Sequence, residues 1–270
     1  MREFFQQHSR DWYPLCLIGG LVVACILESF LPHLNQRPTR QALGRWINNL
    51  LLAGITQTLL LALAPLMYFG VAQPLGWVQS GWLQRYDIHP LTGVVFLLLV
   101  LECVTYWLHR ACHSIPLLWR LHAVHHADTE VDFSTAHRHH PGEALVSTLV
   151  TFPILLALGP TLEMAVIYHA AYGLVSALSH ANLRLGTNVD VLLRRVVVTP
   201  AFHRVHHSAN RTLTDSNFGT LTPWFDHLFG TACIQDPPAD VGLTYARDDR
   251  NRRIDRLLML PFKKDFYKTK

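Results

Sequence analysis

Residues 91–108 form an apolar run that leads straight into His109, and this junction constrains the chain more than any other feature. About 20 residues of that character cross the hydrocarbon of a bilayer as one α-helix. Similar runs occupy 14–34, broken only by Glu28 and Ser29, and 46–70. Pro153, Gly159 and Pro160 divide a further apolar region into 144–158 and 161–181, each slightly short for a full span. These two pieces are expected to form a helical hairpin or two tilted spans. Half of the 270 residues are hydrophobic and 16% are charged, against about 25% charged in ordinary soluble domains. The chain therefore reads as an all-α integral membrane bundle.

Three expectations cover the segments between the spans. Residues 71–90 mix Pro74, Gly76, Gly81 and Pro90 with Trp77, Trp82 and Tyr86, which suits an interfacial or re-entrant stretch. Residues 182–202 are amphipathic and basic through Arg184, Arg194 and Arg195, as in a helix lying on the membrane surface. The tail beyond Gly230, with Lys263, Lys264, Lys268 and Lys270, is expected to be solvated. The division that results is 1–90 for N-terminal spans and an interfacial segment, 91–231 for the chemistry, and 232–270 for a polar tail. The net charge of +4 falls in short loops and forms no stripe for nucleic acid. Five cysteines without paired spacing argue against a disulfide framework. No cleavable signal is expected, because the first ten residues are polar and mixed.

Eight histidines gather in three bursts: His109-x-x-x-His113, His122-x-x-His125-His126 and His203-x-x-His206-His207. Imidazole is the commonest biological metal ligand. Residues three or four apart share a helix face, whereas adjacent residues diverge by about 100°. Each doublet can therefore give one member to each of two ions. Neutral nitrogens suit iron, zinc, copper or nickel rather than magnesium or calcium. His180, which ends the apolar hairpin before Ala181-Asn182, is a ninth candidate. His169 lies eleven residues earlier, about 16 Å away along a helix, too far to share those ions. It either hydrogen-bonds within the bundle or lines a substrate passage. His140, in Arg138-His139-His140-Pro141-Gly142-Glu143, is a candidate ligand or a group that orients one. His137 and His139 read as surface loop residues. His8, His33, His89 and His227 are isolated, and Cys112 reads as a small buried hydrophobe.

Counting sides places the clusters together. Arg37, Arg40 and Arg45 stand in an acid-free loop, the mark of a cytosolic side. The span that follows leaves that side and the next returns to it, delivering His109. A hairpin that starts and ends there delivers His180 and His203. The bundle is thus expected to carry a histidine-rich di-metal cap on its cytosolic face, with the N-terminus outside.

Between residues 95 and 231 the chain resembles the fatty acid hydroxylase / sterol desaturase superfamily of membrane histidine-box oxidases. The resemblance rests on the three boxes and their flanks: Tyr106-Trp107-Leu108-His109-Arg110, Leu118-Trp119-Arg120-Leu121-His122 and Arg138-x-His140-Pro141-x-Glu143. It continues through His180-Ala181-Asn182-Leu183, Thr199-Pro200-x-x-His203-Arg204-Val205-His206-His207, Asn217-Phe218-Gly219 and Trp224-Phe225-Asp226-His227-Leu228-Phe229-Gly230-Thr231. It implies two iron ions that use O2 to attack an unactivated C–H bond of a membrane lipid. Asn182, Asn217 and Asp226 are candidates to orient histidine N–H groups, Asp226 equally for a turn cap. Electrons are implied to come from ferredoxin, or from cytochrome b5 with a reductase, because no flavin or dinucleotide motif is present. Hydroxylation and desaturation are both open, since one centre serves either. A metal transporter is disfavoured, because its ionisable groups would run through the spans rather than gather at one face. No carboxylate base suited to a zinc hydrolase stands out. The compact chain points to a bacterial cytoplasmic membrane rather than the endoplasmic reticulum. The oligomeric state and the particular lipid are not encoded in any motif found.

Overall fold

The computed structural model describes residues 18–34, 40–73, 81–248 and 252–263. Among these the chain is helical and has no strands, only isolated bridges pairing Pro32 with Leu183 and Ser208 with Val241. Helix α1 covers Ile18–Phe30. Helix α2, Arg40–Met67, runs on through a π-turn at Tyr68–Ala72. A single turn, α3 (Trp82–Arg85), precedes α4 (Pro90–Ser114) and α5 (Pro116–His126). Helices α6 (Pro141–Leu158) and α7 (Leu162–His180) make the hairpin. Short helices follow: α8 (Thr187–Leu193), α9 (Pro200–His206), α10 (Arg211–Thr214), α11 (Trp224–Phe229) and α12 (Ile254–Met259).

Among the described residues, four segments are long and apolar enough to cross a membrane: Ala42–Gly70, Pro90–Ser114, Pro141–Leu158 and Leu162–His180; α1, within the expected first span, is shorter. Their outer surfaces leave Leu51, Leu61, Val95 and Leu149 more than half exposed, as lipid contact requires. Pro153 lies inside α6 without ending it, which membrane helices tolerate because neighbours re-satisfy the freed backbone. The hairpin turns at Gly159, whose φ of +57° closes α6 as a left-handed cap. Gly159 also touches Gly81, where a Cβ would stand 2.1 Å from the Gly159 Cα. Thr161 then caps α7 by accepting the Met164 N–H. At the other end of the bundle, Ile115 is extended and Pro116 opens α5, so the chain folds back over the end of α4.

The cap forms at the C-terminal ends of α4 and α7 and the N-terminal ends of α2 and α6. Buried Arg45 of α2 reaches Asp128 at 3.1 Å and also pairs with Asp132. Trp46 Nε1–H donates to the same Asp132 at 2.6 Å. Arg138, almost fully buried, donates to the Val124 carbonyl at 2.9 Å. Glu28, one of the two residues that interrupt the first apolar run, accepts the backbone N–H groups of Phe133 and Asn182. It ties α1 to the cap. Removing one partner from a buried ion pair costs about 3–5 kcal/mol. Arg45→Ala, which strands two buried carboxylates, is expected to destabilise the protein by at least that much. Thermal unfolding in detergent measures it, and an unchanged midpoint would contradict the role assigned to Arg45.

Three expectations need correction. Arg45 is a structural ion-pair partner rather than a free interfacial cation, while Arg37 and the side chain of Arg40 lie outside the described residues. Within 182–202 only α8, the seven residues Thr187–Leu193, is a helix before α9 begins. The β-branched run Val196-Val197-Val198 and the approach to Pro200 both resist helix. The tail is also not simply solvated: Leu243, Ala246, Leu257 and Leu260 are buried against Leu52, Ala123 and Val124. Arg120 fastens it by donating to the carbonyls of Pro261 and Lys263. Much of the interfacial stretch (74–80), the first residues of the first apolar run (14–17) and the last lysines fall outside the described residues.

Candidate metal centre

Nine histidines converge beneath the cap in two adjoining groups. His109, His113, His122, His126 and His206 form one, and His125, His180, His203 and His207 the other. Within each group the nearest ring nitrogens all lie within 4.8 Å of one another. Helical spacing decides how the boxes divide. The i, i+4 pairs His109/His113 and His122/His126 stay together in the first group, and His203/His207 in the second. The remaining member of each triplet crosses over: His125 joins the second group and His206 the first. Rings from the two groups pack edge to face, His125–His126 at 5.4 Å and His206–His207 at 5.5 Å between centroids.

The partners of Nδ1 show what the Nε2 atoms do. His109 Nδ1–H donates to the Phe218 carbonyl at 2.8 Å and His122 Nδ1–H to Glu143 at 2.8 Å. Both Nε2 atoms therefore carry lone pairs, yet they face each other at 3.0 Å. His180 Nδ1–H donates to the Ser176 carbonyl, and its lone pair meets His203 Nε2 at 3.0 Å and His125 Nε2 at 3.2 Å. His206 Nδ1–H donates to the Ser216 carbonyl, leaving a buried Nε2 with no partner among the described residues; His113 Nε2 likewise has none there. Lone pairs that converge in a buried space repel unless a cation sits between them. Two imidazole nitrogens held at about 2.0–2.1 Å from one ion lie roughly 3.0–3.4 Å apart, which matches these contacts. The neutral all-nitrogen donor set fits iron, zinc, copper or nickel.

Burial, followed by the neighbouring imidazoles, holds His125, His126, His203 and His207 well below the ordinary imidazole value. Burial pushes His206 down to about 3. These rings stay neutral in the fold, whereas unfolded histidine takes a proton near pH 6.5. Unfolding therefore binds protons: the cage is fully stable above about pH 6.5 and weakens steadily as pH falls below it. Because ligands must be neutral, elemental analysis after dialysis at about pH 4 is expected to show metal lost that dialysis near neutrality retains. Full retention in acid would contradict imidazole ligation.

The other site expectations fare differently. His140 stands apart from both groups. Its Nδ1 accepts the Gly142 N–H to cap α6, and its Nε2–H donates to the Leu258 carbonyl, so both nitrogens are already engaged. His139, expected at the surface, instead stacks on His125 at 4.4 Å and 11° and bonds Glu143 through Nδ1 at 3.1 Å. Burial lowers its pKa, but the Glu143 carboxylate more than offsets this, and the net shift is upward. His137 is half-buried, and its Nε2 has no partner among the described residues. Asn182 bonds the backbone of Leu34 rather than a histidine. Asn217 and Asp226 act one step removed. Asn217, at φ +55°, ties Phe202 to Cys233. Asp226 accepts the N–H groups of Phe218 and Gly219. Glu102, fully buried on α4, accepts those of Thr220, Leu221 and Thr222. Five successive amides are thus held by two carboxylates, which aims the Phe218 carbonyl at His109. Only glycine fits at 219, since a Cβ there would meet the Thr222 carbonyl at 2.3 Å.

Glu143 is the residue that sequence reasoning passed over as a functional group. It bridges His122 and His139 and, with them, forms a third potential metal-holding set. Its signal was the i, i+4 spacing from His139 at a proline-opened helix start. A cavity of about 440 Å³ begins at His139 and Glu143 and runs down between α2, α4, α6 and α7 to Tyr168, His169 and Tyr172. His169 therefore lines this cavity.

The bundle and its paired histidine cage define an integral membrane protein with a histidine-rich cap that could hold metal. Residues 94–231 match the fatty acid hydroxylase family, and the chain belongs to that family. It is 31% identical over 146 residues to alkylglycerol monooxygenase of Homo sapiens, a match covering 52% of this chain and 30% of that protein. It is 26% identical over 245 residues to the ornithine lipid hydroxylase OlsE of Rhizobium tropici, covering 86% of this chain and 71% of that one. Against the very-long-chain aldehyde decarbonylase GL1-4 of Oryza sativa subsp. japonica it is 28% identical over 178 residues, 62% and 28% of the two chains. The chain thus spans under a third of the alkylglycerol monooxygenase. No solved structure matches it.

Proposed function

We propose that this protein is a di-iron monooxygenase that hydroxylates an unactivated C–H bond of a membrane lipid. The observation that carries the reading is that the cavity and the cage share a wall. His139 and Glu143 line the cavity while touching His125 and His122. Relatives bearing the names monooxygenase and lipid hydroxylase support it. Each group would hold one iron, the first through His109, His113, His122, His126 and His206, the second through His125, His180, His203 and His207. When bound, the irons supply O2 reduction and C–H oxidation. The balance is one C–H bond, one O2, two electrons and two protons, giving one C–OH and one water.

The chain's own residues do the positioning. The carbonyls of Phe218, Ser216 and Ser176 keep the proton on Nδ1 of His109, His206 and His180, so that Nε2 stays free to bind. Buried walls exclude bulk water from the oxidising centre. The cavity lets a lipid enter sideways from the bilayer and lays it against His139 and Glu143. Residues 91–231 are the catalytic unit in this reading, and the cap faces the cytosol of a bacterial cell. Ferredoxin, or cytochrome b5 with its reductase, brings electrons there. Comparative lipid mass spectrometry of cells with and without the gene tests the proposal. One oxygen gained by a lipid, only in the presence of O2, is expected. Loss of two hydrogens instead would mark a desaturase, and no oxygen-dependent change in any lipid would overturn the reading.

A further inference from the structure

The cavity is lined mainly by apolar side chains, yet Tyr168, His169 and Tyr172 bring polar atoms to its depth. Three independent helices fix that depth. Tyr168 lies twelve residues before His180 on α7, Leu155 twelve after Glu143 on α6, and Gln57 twelve after Arg45 on α2. At 1.5 Å per residue each stands about 18 Å below the cap, and all three line the cavity. Tyr168 is 5% exposed, and its hydroxyl has no hydrogen-bond partner among the described residues. Gln57 also lines the cavity, but it is exposed rather than buried. The rings of His169 and Tyr172 flank Tyr168 at 5.3 and 6.3 Å between centroids. The threonines higher in the cavity differ: Thr148 and Thr151 spend their protons on the carbonyls four residues back.

A buried hydroxyl left unpaired in hydrocarbon is costly. A site built around such groups discriminates strongly against a ligand that lacks the matching atom. We propose that the lipid taken by this cavity carries a hydrogen-bonding oxygen, a hydroxyl or a carbonyl, about 18 Å from the end presented to the histidines. Tyr168 receives that oxygen. The inference rests on the lipid-oxidation reading for the identity of the cavity, but it concerns binding and can fail separately.

The test uses the purified full-length protein in nanodiscs and two probes: a long-chain fatty acid and the ω-hydroxy acid of the same length. The carboxylate keeps both probes anchored at the membrane surface, because charge is expelled from hydrocarbon. Competition against a fluorescent fatty acid reads the two affinities. The ω-hydroxy acid is expected to bind about tenfold tighter, the ratio set by one buried hydrogen bond. In Tyr168→Phe the ratio is expected to fall towards one, and continued binding of the plain acid reports an intact cavity. Equal affinities in the wild-type protein, as for a hydrated passage only, overturn the proposal whatever the variant does. A preference that survives Tyr168→Phe overturns the assignment to that residue. A clear preference with no lipid oxidised in any assay would instead count against the monooxygenase reading alone.

Discussion

His206→Ala and His125→Ala should each abolish lipid oxidation while lowering metal content by about half rather than to zero. The two residues are the crossed-over members of their boxes: His206 sits in the first group although its neighbours His203 and His207 belong to the second, and His125 is its counterpart. Deleting His206 leaves four histidines in the first group; deleting His125 leaves three in the second. Loss of an outer partner of a metal ligand typically costs 10–100-fold, so loss of a ligand is expected to exceed about a hundredfold in activity. Elemental analysis and an oxygen-uptake assay on the same preparations check both halves. Normal turnover by either variant would remove that histidine from the ligand set. Loss of all metal from both would show that the groups fill as one cooperative unit.

The second large effect belongs to Glu143. One carboxylate oxygen takes the N–H groups of both His122 and His139, at 2.8 and 3.1 Å, and the other is buried without a partner among the described residues. Glu143→Gln keeps the shape but removes the charge that fixes the proton on His122 Nδ1. Its amide oxygen can still accept from both rings, but its NH2 then takes the buried place where the second carboxylate oxygen has no partner among the described residues. Metal affinity at the first group, followed by titration, and kcat are both expected to fall 10–100-fold, in line with other outer partners of metal-bound histidine. Glu143→Ala, which also opens a hole beside the cavity, is expected to fall further. A Glu143→Gln protein with unchanged metal affinity would reduce the residue to a helix-start acid, useful only against the macrodipole.

How far the site was legible depends on whether its parts carry local signals. The i, i+4 pairs His109/His113, His122/His126 and His203/His207 follow from helix geometry alone, as does the need for each doublet to diverge. His180 was recognisable because an apolar helix ended on it. The match of residues 94–231 to the fatty acid hydroxylase family agrees with motifs readable in the boxes and their flanks. By contrast, His139 and His140 are adjacent and chemically identical, and only the placement of α6 and α12 sends one to the cage and the other to a cap on Leu258. The loop 216–222 was harder still. Its contribution to the cage is two backbone carbonyls, at Ser216 and Phe218, and every residue has one.

The sequence by itself determined the four long spans, the helical character and the histidines that can share a face, because those depend on hydropathy and on a repeat of 3.6 residues. Only the tertiary structure decided which doublet member joins which group, that Glu143 and not Asn182 orients a ring, and that the tail seals the cap rather than trailing in water. Those outcomes depend on contacts between residues a hundred or more positions apart. Such contacts are set by how whole helices pack, and no local pattern of side chains announces them.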